Sequence, residues 1–521
     1  MAAKKKAAGK ADFSSIIKQG YSPAGSFVLL GKGMLDGKIL PDAEIKIPVK
    51  TLNRHGLIAG ATGTGKTKSL MTLAGELSKL GIPSLVMDVK GDISGLGAAG
   101  SASGPAADRM KQLGLTFKPK AYPVELLSLS DEKGLRLRAT VSEFGPVLIS
   151  KILGLNETQE GILSVLFKFC DDRGLLLLDL KDLKSVLNFA TGDGKAEFAG
   201  EFGQVSGASA GTILRKVVAL EQQGAEIFFG EPSFDTADLK RTSGKEGVIS
   251  IVRLTDIQSR PDLFSTFMLQ LLAEVFEKFP EVGDRDKPEL ILFIDEAHLI
   301  FNSASKALLA QIESIVKLIR SRGVGIIFCT QSPDDIPSAV LSQLGLKIQH
   351  ALRAFTAKDR KTVQKAAENF PLSDFYETDR LLGELGIGEA LITCLDEKGR
   401  PAPLAHTMVA APDCRLDILS AAEIESIVKK SNLAGKYSET QDRKSAYETL
   451  AAKVESLAEE APVGKKSAAK AKAEKSTMEK VLESPITKEI GRTAAREITR
   501  GVLGVFGIGG RKSSRRKKGF F

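Results

Sequence analysis

The run Gly60-Ala61-Thr62-Gly63-Thr64-Gly65-Lys66-Thr67 constrains the fold more than any other stretch of the chain. It has the complete Walker A spacing, and that loop works only between a strand and a helix. Both neighbours are legible. His55 to Ala59 reads as a short buried strand, and Lys68 to Leu80 carries apolar residues at helical spacing (Leu70, Met71, Leu73, Ala74, Leu77, Leu80). Gly60, Gly63 and Gly65 let the backbone turn its N–H groups inward at the positive end of the following helix. Lys66 is expected to reach the β- and γ-phosphates of a nucleoside triphosphate, and the Thr67 hydroxyl to hold its Mg²⁺.

A second motif supplies the partner. Leu290-Ile291-Leu292-Phe293-Ile294 suits a central parallel strand covered on both faces, with Asp295 and Glu296 emerging at its carboxyl end. Asp295 is placed to join the Mg²⁺ shell, and Glu296 to polarise a water for in-line attack on the γ-phosphate. An adjacent Asp-Glu pair separates hydrolysing members of this fold from switch-like ones, so the chain is expected to split ATP with water.

Two further strand tips carry polar residues. Val324 to Thr330 ends at Gln331, a position from which an amide can sense the γ-phosphate or orient the water. Ile82 to Val89 ends in Met87-Asp88-Val89-Lys90-Gly91-Asp92, where Asp88 either supports the metal shell or caps a turn. A phosphoryl group in transfer also needs extra positive charge, often from an arginine of a neighbouring subunit. Arg320, at the end of the predicted helix Ser305 to Arg322, is the first choice for such a finger; Arg54 is the second and Arg353 the third. Basic residues at a helix end can also simply complement its dipole.

Arg54 through Thr67, the tip Asp295-Glu296-Ala297-His298, and Arg320 followed by Thr330-Gln331-Ser332-Pro333 resemble the HerA/FtsK superfamily of hexameric DNA-pumping ATPases. Gln331 to Pro337 and Gln349 to Thr356 resemble its bacterial HerA-like, YjgR-like subgroup. The resemblance covers about residues 26–420, with the segment around Gly491 to Gly507. It implies a RecA-like ASCE P-loop NTPase with a mainly parallel sheet, and gives the run Gly60 to Lys68, Lys68 included, the role of nucleotide contact. It assigns Lys66, Thr67, Asp295, Glu296 and Gln331 the roles above, and matches Arg320 and Arg54 to the family's essential arginines. A homo-oligomer, hexameric by resemblance, and double-stranded DNA are the implied partners. Archaeal HerA proteins carry an amino-terminal β-barrel; here only residues 26–50 precede the core, read as two short strands (Phe27 to Leu30, Ala43 to Val49), too little to close one. The membrane anchors and winged helix of FtsK are likewise not expected.

The remaining chain divides by character. Residues 1–25 read as a disordered basic terminus, 26–50 as a short β segment, and 51–140 and 246–420 as the two parts of the core. Residues 141–245 carry helical periodicity (Phe144 to Leu153, Glu160 to Cys170, Leu180 to Asn188, Ala210 to Leu220) and are predicted to be an inserted bundle. Its Lys181, Lys184, Arg215 and Lys216 either line a pore or form a solvated face. Residues 421–461 read as charged helices, and 462–521 as a low-complexity linker with a basic helical tail. That tail can attract DNA phosphates, an anionic membrane surface or an acidic face of the protein itself.

The net charge of +9 sits in the ends, since residues 1–10, 463–485 and 486–521 are all strongly basic; residues 11–462 are net acidic. DNA contact by the core must therefore come from local basic surfaces. Cys170, Cys329, Cys394 and Cys414 are scattered without metal-ligand spacing, as in a cytoplasmic protein with reduced thiols. Neither a secretory leader nor an 18-residue apolar run is present. The competing readings are an ATP-dependent scaffold or switch that recruits a partner without moving DNA, and a small-molecule kinase, which Glu296 disfavours.

Overall fold

The structure is a computed structural model that describes residues 10–256, 260–283, 285–303 and 306–460. It separates into two units. The first takes the described chain up to Arg138 together with Phe234–Glu439; the second takes Ala139–Ser233 and the chain from Thr440 onward.

The first unit is built on a sheet of twelve strands. In chain order the strands are β1 (Phe27–Leu35), β2 (Lys38–Pro48), β3 (Gly56–Ala59), β4 (Ser84–Asp88), β5 (Val124–Ser128), β6 (Leu135–Arg136), β7 (Thr242–Ser243), β8 (Glu246–Gly247), β9 (Ile249–Arg253), β10 (Leu290–Ile294), β11 (Val324–Thr330), β12 (Leu346–Gln349), β13 (Glu389–Thr393) and β14 (Ala405–Val409). β7 and β8 form a separate small hairpin, and the sheet runs β2-β1-β14-β13-β12-β3-β11-β10-β4-β9-β5-β6. From β12 to β6 neighbouring strands are parallel; from β12 to β2 they are antiparallel. β3, β4, β10 and β11 are buried along their whole lengths. Their near-continuous apolar sequences are what two covered faces require. In-register pairs such as Leu292 with Leu85 on one side and Ile326 on the other align the carboxyl ends of β4, β10 and β11. Those ends carry the site.

Two expectations for the amino-terminal region are corrected. Residues 1–25 are not disordered throughout, because Lys10–Gly20 is a helix. Phe13, Ile17 and Tyr21, at i, i+4 and i+8, are at most 2% exposed, and the Phe13 ring meets Phe375 and Tyr376 edge-on at 5.0 and 5.8 Å. The Tyr21 hydroxyl donates to Ile392 O and Pro403 O at 2.9 and 2.7 Å, which fastens the helix to the antiparallel side of the sheet. The strands of the β segment are also longer than expected. β1 and β2 are joined by Asp36-Gly37, both at positive φ (51° and 70°), the two-residue turn that matches hairpin twist. They do not stand apart as a separate segment but extend the main sheet through β14.

The second unit is helical: Val141–Ile152, Glu157–Arg173, Leu180–Thr191, Lys195–Phe202 and Gly207–Gln222. Capping boxes at Thr140/Glu143, Asn156/Gln159 and Asp179/Asp182 start three of them. Phe169 packs against Phe189, Phe198 and Phe202 at centroid distances of 5.9, 5.2 and 6.0 Å. The predicted boundary at 245 falls too late, since the chain rejoins the first unit at Phe234. The helix Ala446–Glu460 belongs with this unit, where Tyr447 N donates to Asp182 Oδ1 at 2.8 Å and Lys453 pairs with Glu197 at 2.7 Å. The proposed pore cations are partly committed inside the unit: Lys184 pairs with Glu221 at 2.6 Å, and Lys216 donates to Leu153 O and Gly154 O, capping a helix end. The linker and basic tail, residues 462–521, lie outside the described residues.

Candidate nucleotide site

The phosphate loop joins β3 to the helix Lys66–Lys79. Gly60 has φ +152°, and a Cβ there would come within 2.5 Å of the His350 Cβ, so only glycine fits. Gly63 and Gly65 have φ +78° and +118°, and no atom lies within 4 Å of where a Gly63 Cβ would sit. The loop is therefore an open cradle on a braced base. Gly60 N donates to Thr330 O at 3.3 Å, Ala61 N to Ala351 O at 2.8 Å, and the Thr64 hydroxyl to Ala61 O at 2.7 Å. Thr62 is exposed at the loop's crest. The first turn of the helix presents its N–H groups and the positive end of its dipole to the cradle.

Around this loop the structure gathers a compact set of charges. Lys66 is buried and bonds Ala61 O at 3.2 Å; burial and the neighbouring Lys90 ammonium lower its pKa, while Glu296 and Asp295 oppose that shift. The two Walker motifs thus share one electrostatic site. Burial, with the adjacent Glu296 charge, pushes Asp295 up to about 7. Asp295 Oδ2 is buried without a hydrogen-bond partner, as is Asp92 Oδ1. The Thr67 hydroxyl donates to Asp92 Oδ2 at 3.2 Å. Unpaired buried carboxylate oxygens beside a hydroxyl are a donor set suited to a hard divalent cation and its waters. Thr67, Asp92 and Asp295 fit Mg²⁺ in this respect.

Glu296 sits just past β10 with φ +48°, a left-handed conformation uncommon for a residue with a side chain. The backbone is held by Ala297 N donating to Cys329 O at 2.9 Å and Leu299 N to Glu296 O at 2.9 Å. Its carboxylate pairs with Lys90 and lies 3.0 Å from His298 Nδ1. Gln331 is exposed at the tip of β11, in a turn fixed by Asp335, which accepts from Thr330 Oγ1 at 2.5 Å and Ser332 N at 3.0 Å. Lys68 turns away from the cradle and donates to Leu416 O at 2.5 Å.

Asp88 is used differently from the metal role considered for it. Its oxygens accept from Gly91 N at 2.7 Å and Ile93 N at 3.2 Å, so it braces the turn after β4. Burial, with the charge of Asp92, pushes it up to about 7. The turn in its place carries Lys90 and Asp92 into the site.

The candidate arginines divide by location. Arg54 precedes β3 and Arg320 lies in the helical turn Ile319–Arg322 that precedes β11. Both are at the amino ends of parallel strands whose carboxyl ends carry the phosphate loop, roughly 15–20 Å away at ~3.3 Å per residue. Arg320 lies close to His55, whose pKa is lowered to about 4 by burial first and by that guanidinium last. His55 is locked neutral, donating from Nε2 to Val316 O at 2.7 Å and accepting from Ile326 N at Nδ1 at 3.0 Å. Arg353 is exposed beyond the carboxyl end of β12, with its guanidinium on Gly383 O at 3.2 Å.

Residue-by-residue reading overlooked three braces of the cradle. His350 Nδ1 donates to Glu389 O at 2.8 Å, so Nε2 accepts from Ser69 Oγ at 2.9 Å; burial holds the ring at about 4, with Lys66 adding to the effect. Glu389 in turn meets His406 Nε2 at 3.0 Å. Arg109 donates to Ile387 O at 3.1 Å, next to Gly388, whose N–H bonds Thr64 O at 2.9 Å. The stretch Gln349 to Thr356 was flagged by resemblance alone, and Arg109 had no signal in its surroundings.

Comparison with known proteins agrees with this geometry. The chain is 26% identical over 369 residues to the DNA import protein CedB of Sulfolobus acidocaldarius, covering 68% of this chain and 52% of that protein. It is 25% identical over 365 residues to the DNA double-strand break repair helicase HerA of Sulfurisphaera tokodaii, covering 68% and 66%. The chain thus spans about half the length of the first and two thirds of the second. Among solved structures, the plasmid coupling protein TrwB in complex with a non-hydrolysable ATP analogue superposes with a TM-score of 0.51 at 14% identity, covering 78% of this chain and 95% of that one, a likeness of fold. The family model described as helicase HerA-like C-terminal matches residues 35–513, and with a P-loop, an Asp-Glu strand tip and a RecA-like sheet in that span, the chain belongs to the HerA-like family.

Proposed function

We propose that this chain is an ATP-hydrolysing ring motor that acts on double-stranded DNA. The observation that carries the reading is the convergence of Lys66, Thr67, Asp295 and Glu296 on one cradle. Lys66 and the loop N–H groups bind the triphosphate and draw charge from the bond to be broken. Glu296 takes a proton from the attacking water, and Gln331 at the neighbouring tip orients that water. Thr67, Asp92 and Asp295 would hold Mg²⁺, which would supply charge neutralisation at the phosphates.

Arg54 and Arg320 stand at the opposite ends of their strands from their own cradle, too far to touch its nucleotide, and both are partly exposed. We assign Arg320 first and Arg54 second as the charge that a neighbouring subunit's nucleotide needs, which makes an oligomer part of the active site. DNA contact requires local basic surfaces, and the helix Ala357–Glu368 offers one: Lys358, Arg360, Lys361 and Lys365 are all exposed. The relatives named for DNA import and for DNA double-strand break repair support that choice of substrate.

The test is ATP hydrolysis by the full chain with and without duplex DNA. DNA-stimulated turnover that Glu296→Gln abolishes, with nucleotide binding intact, is the expected result. Lys66→Ala should lose binding itself. Turnover indifferent to DNA but rising with protein concentration would instead favour a scaffold or switch.

A further inference from the structure

Each oxygen of the buried Glu296 carboxylate has a nitrogen beside it as a charge-pair neighbour, although neither makes a well-formed hydrogen bond. Lys90 pairs with Oε1, and His298 Nδ1 lies 3.0 Å from Oε2. The Glu296 side chain is 4% exposed, whereas Lys90 keeps 35% and reaches in from the rim. That reach depends on the turn after β4, where Asp88 accepts from Gly91 N and Ile93 N and so fixes the direction in which Lys90 leaves the backbone. The same ammonium lies in the field of Asp295 and Asp92 and near enough to Lys66 to depress it. Two lysines and three carboxylates therefore share the pocket, and of the two lysines it is Lys90 that pairs with the glutamate.

The backbone of Glu296 adds a second observation. A left-handed residue costs about 1–3 kcal/mol and persists only when its surroundings hold it. A flexible acid on such a backbone needs an outside grip before it can be aimed at a water. An ammonium has three donors, so a lysine that uses one on the carboxylate keeps two for phosphoryl oxygens.

We propose that Lys90 is the positioning residue of the water-activating glutamate, holding Glu296 at the mouth of β10 while its remaining donors meet the charge that develops on the terminal phosphoryl group during transfer from a triphosphate seated on Lys66. This rests on the ATPase reading above. No covalent step is added: the proton still passes from water to Glu296, and Lys90 remains an ammonium throughout.

The experiment is steady-state ATP hydrolysis by the full chain carrying Lys90→Met, Lys90→Gln or Lys90→Arg, beside equilibrium binding of a fluorescent non-hydrolysable ATP analogue. Lys90→Met and Lys90→Gln should lower kcat by about a hundredfold, the lower end of what a positioned base contributes, while analogue affinity changes by less than about threefold. Lys90→Arg should recover most of the loss. The proposal is overturned if kcat stays within about threefold of the parent, if affinity falls in step with kcat, or if arginine recovers nothing. A parent protein without turnover sinks this proposal and the ATPase reading together. Turnover stopped by Glu296→Gln yet untouched in Lys90→Met sinks this one alone.

Discussion

At the scale of single residues, the site depends on groups whose sequence gives no sign of their work. Asp88 looks like one more acid at a strand tip, yet both its oxygens accept backbone N–H groups. Asp88→Asn, with a single acceptor oxygen, should cost about 1 kcal/mol of stability and leave the Mg²⁺ dependence of hydrolysis within about threefold; a tenfold shift in half-saturating Mg²⁺ would return Asp88 to the metal shell. The sign of its pH dependence is also fixed. With a folded-state value of about 7 against the ordinary 3.8, the folded protein holds a proton that the unfolded chain lacks between those values. The parent is therefore stabilised as pH falls through that window, and asparagine is not. Thermal denaturation should show the gap between parent and Asp88→Asn widening from pH 8 to pH 5, by up to about 1.4 kcal/mol per unit. Walker residues were legible because their spacing is local. Asp92, His350 and Arg109 were not, because each reaches the cradle only through the order in which strands pair.

At the scale of elements, central strands and the phosphate-loop helix were readable from apolar runs and 3.6-residue periodicity. The sheet's antiparallel side was not. β13 and β14 are short, and their burial follows from the neighbours they meet. The Asp36-Gly37 pair did carry a hairpin signal, and Phe13, Ile17 and Tyr21 a helical one, which the lysine-rich residues 1–10 hide when the terminus is averaged as a whole. Phe13→Ala should cost about 3–5 kcal/mol, the usual cost of emptying a fully buried ring site, read as a fall in the unfolding midpoint. The helix Ala357–Glu368 tests a trade between stability and substrate. Lys358 and Arg360 lie in its first turn and Lys361 directly after it, where the helix dipole disfavours cations. Exchanging all three for glutamate should raise stability by a few tenths of a kcal/mol each while reducing stimulation by DNA and flattening its salt dependence. Unchanged DNA stimulation would move the DNA-contacting surface elsewhere.

At the scale of the whole molecule, the sheet sets two functional edges apart. Its carboxyl edge holds the cradle and its amino edge holds Arg54 and Arg320. Arg320→Ala alone and Glu296→Gln alone should each be inactive. An equal mixture should regain measurable turnover, because the intact arginine of one variant meets the intact glutamate of the other. A mixture no more active than its components would place Arg320 outside the neighbour's site, and activity in Arg320→Ala with loss in Arg54→Ala would reverse their order. Sequence alone could name both arginines but could not say on which edge they stand.

The helical insertion has a narrow neck. The chain leaves the first unit after Arg138 and rejoins it at Phe234, and Phe234 N donates to Arg138 O at 2.8 Å, so exit and return lie side by side. A splice that removes residues 139–233 and bridges that gap with a few glycines should leave β9 paired with β4 and β5, at the cost of the Asp182 and Glu197 contacts that hold Ala446–Glu460.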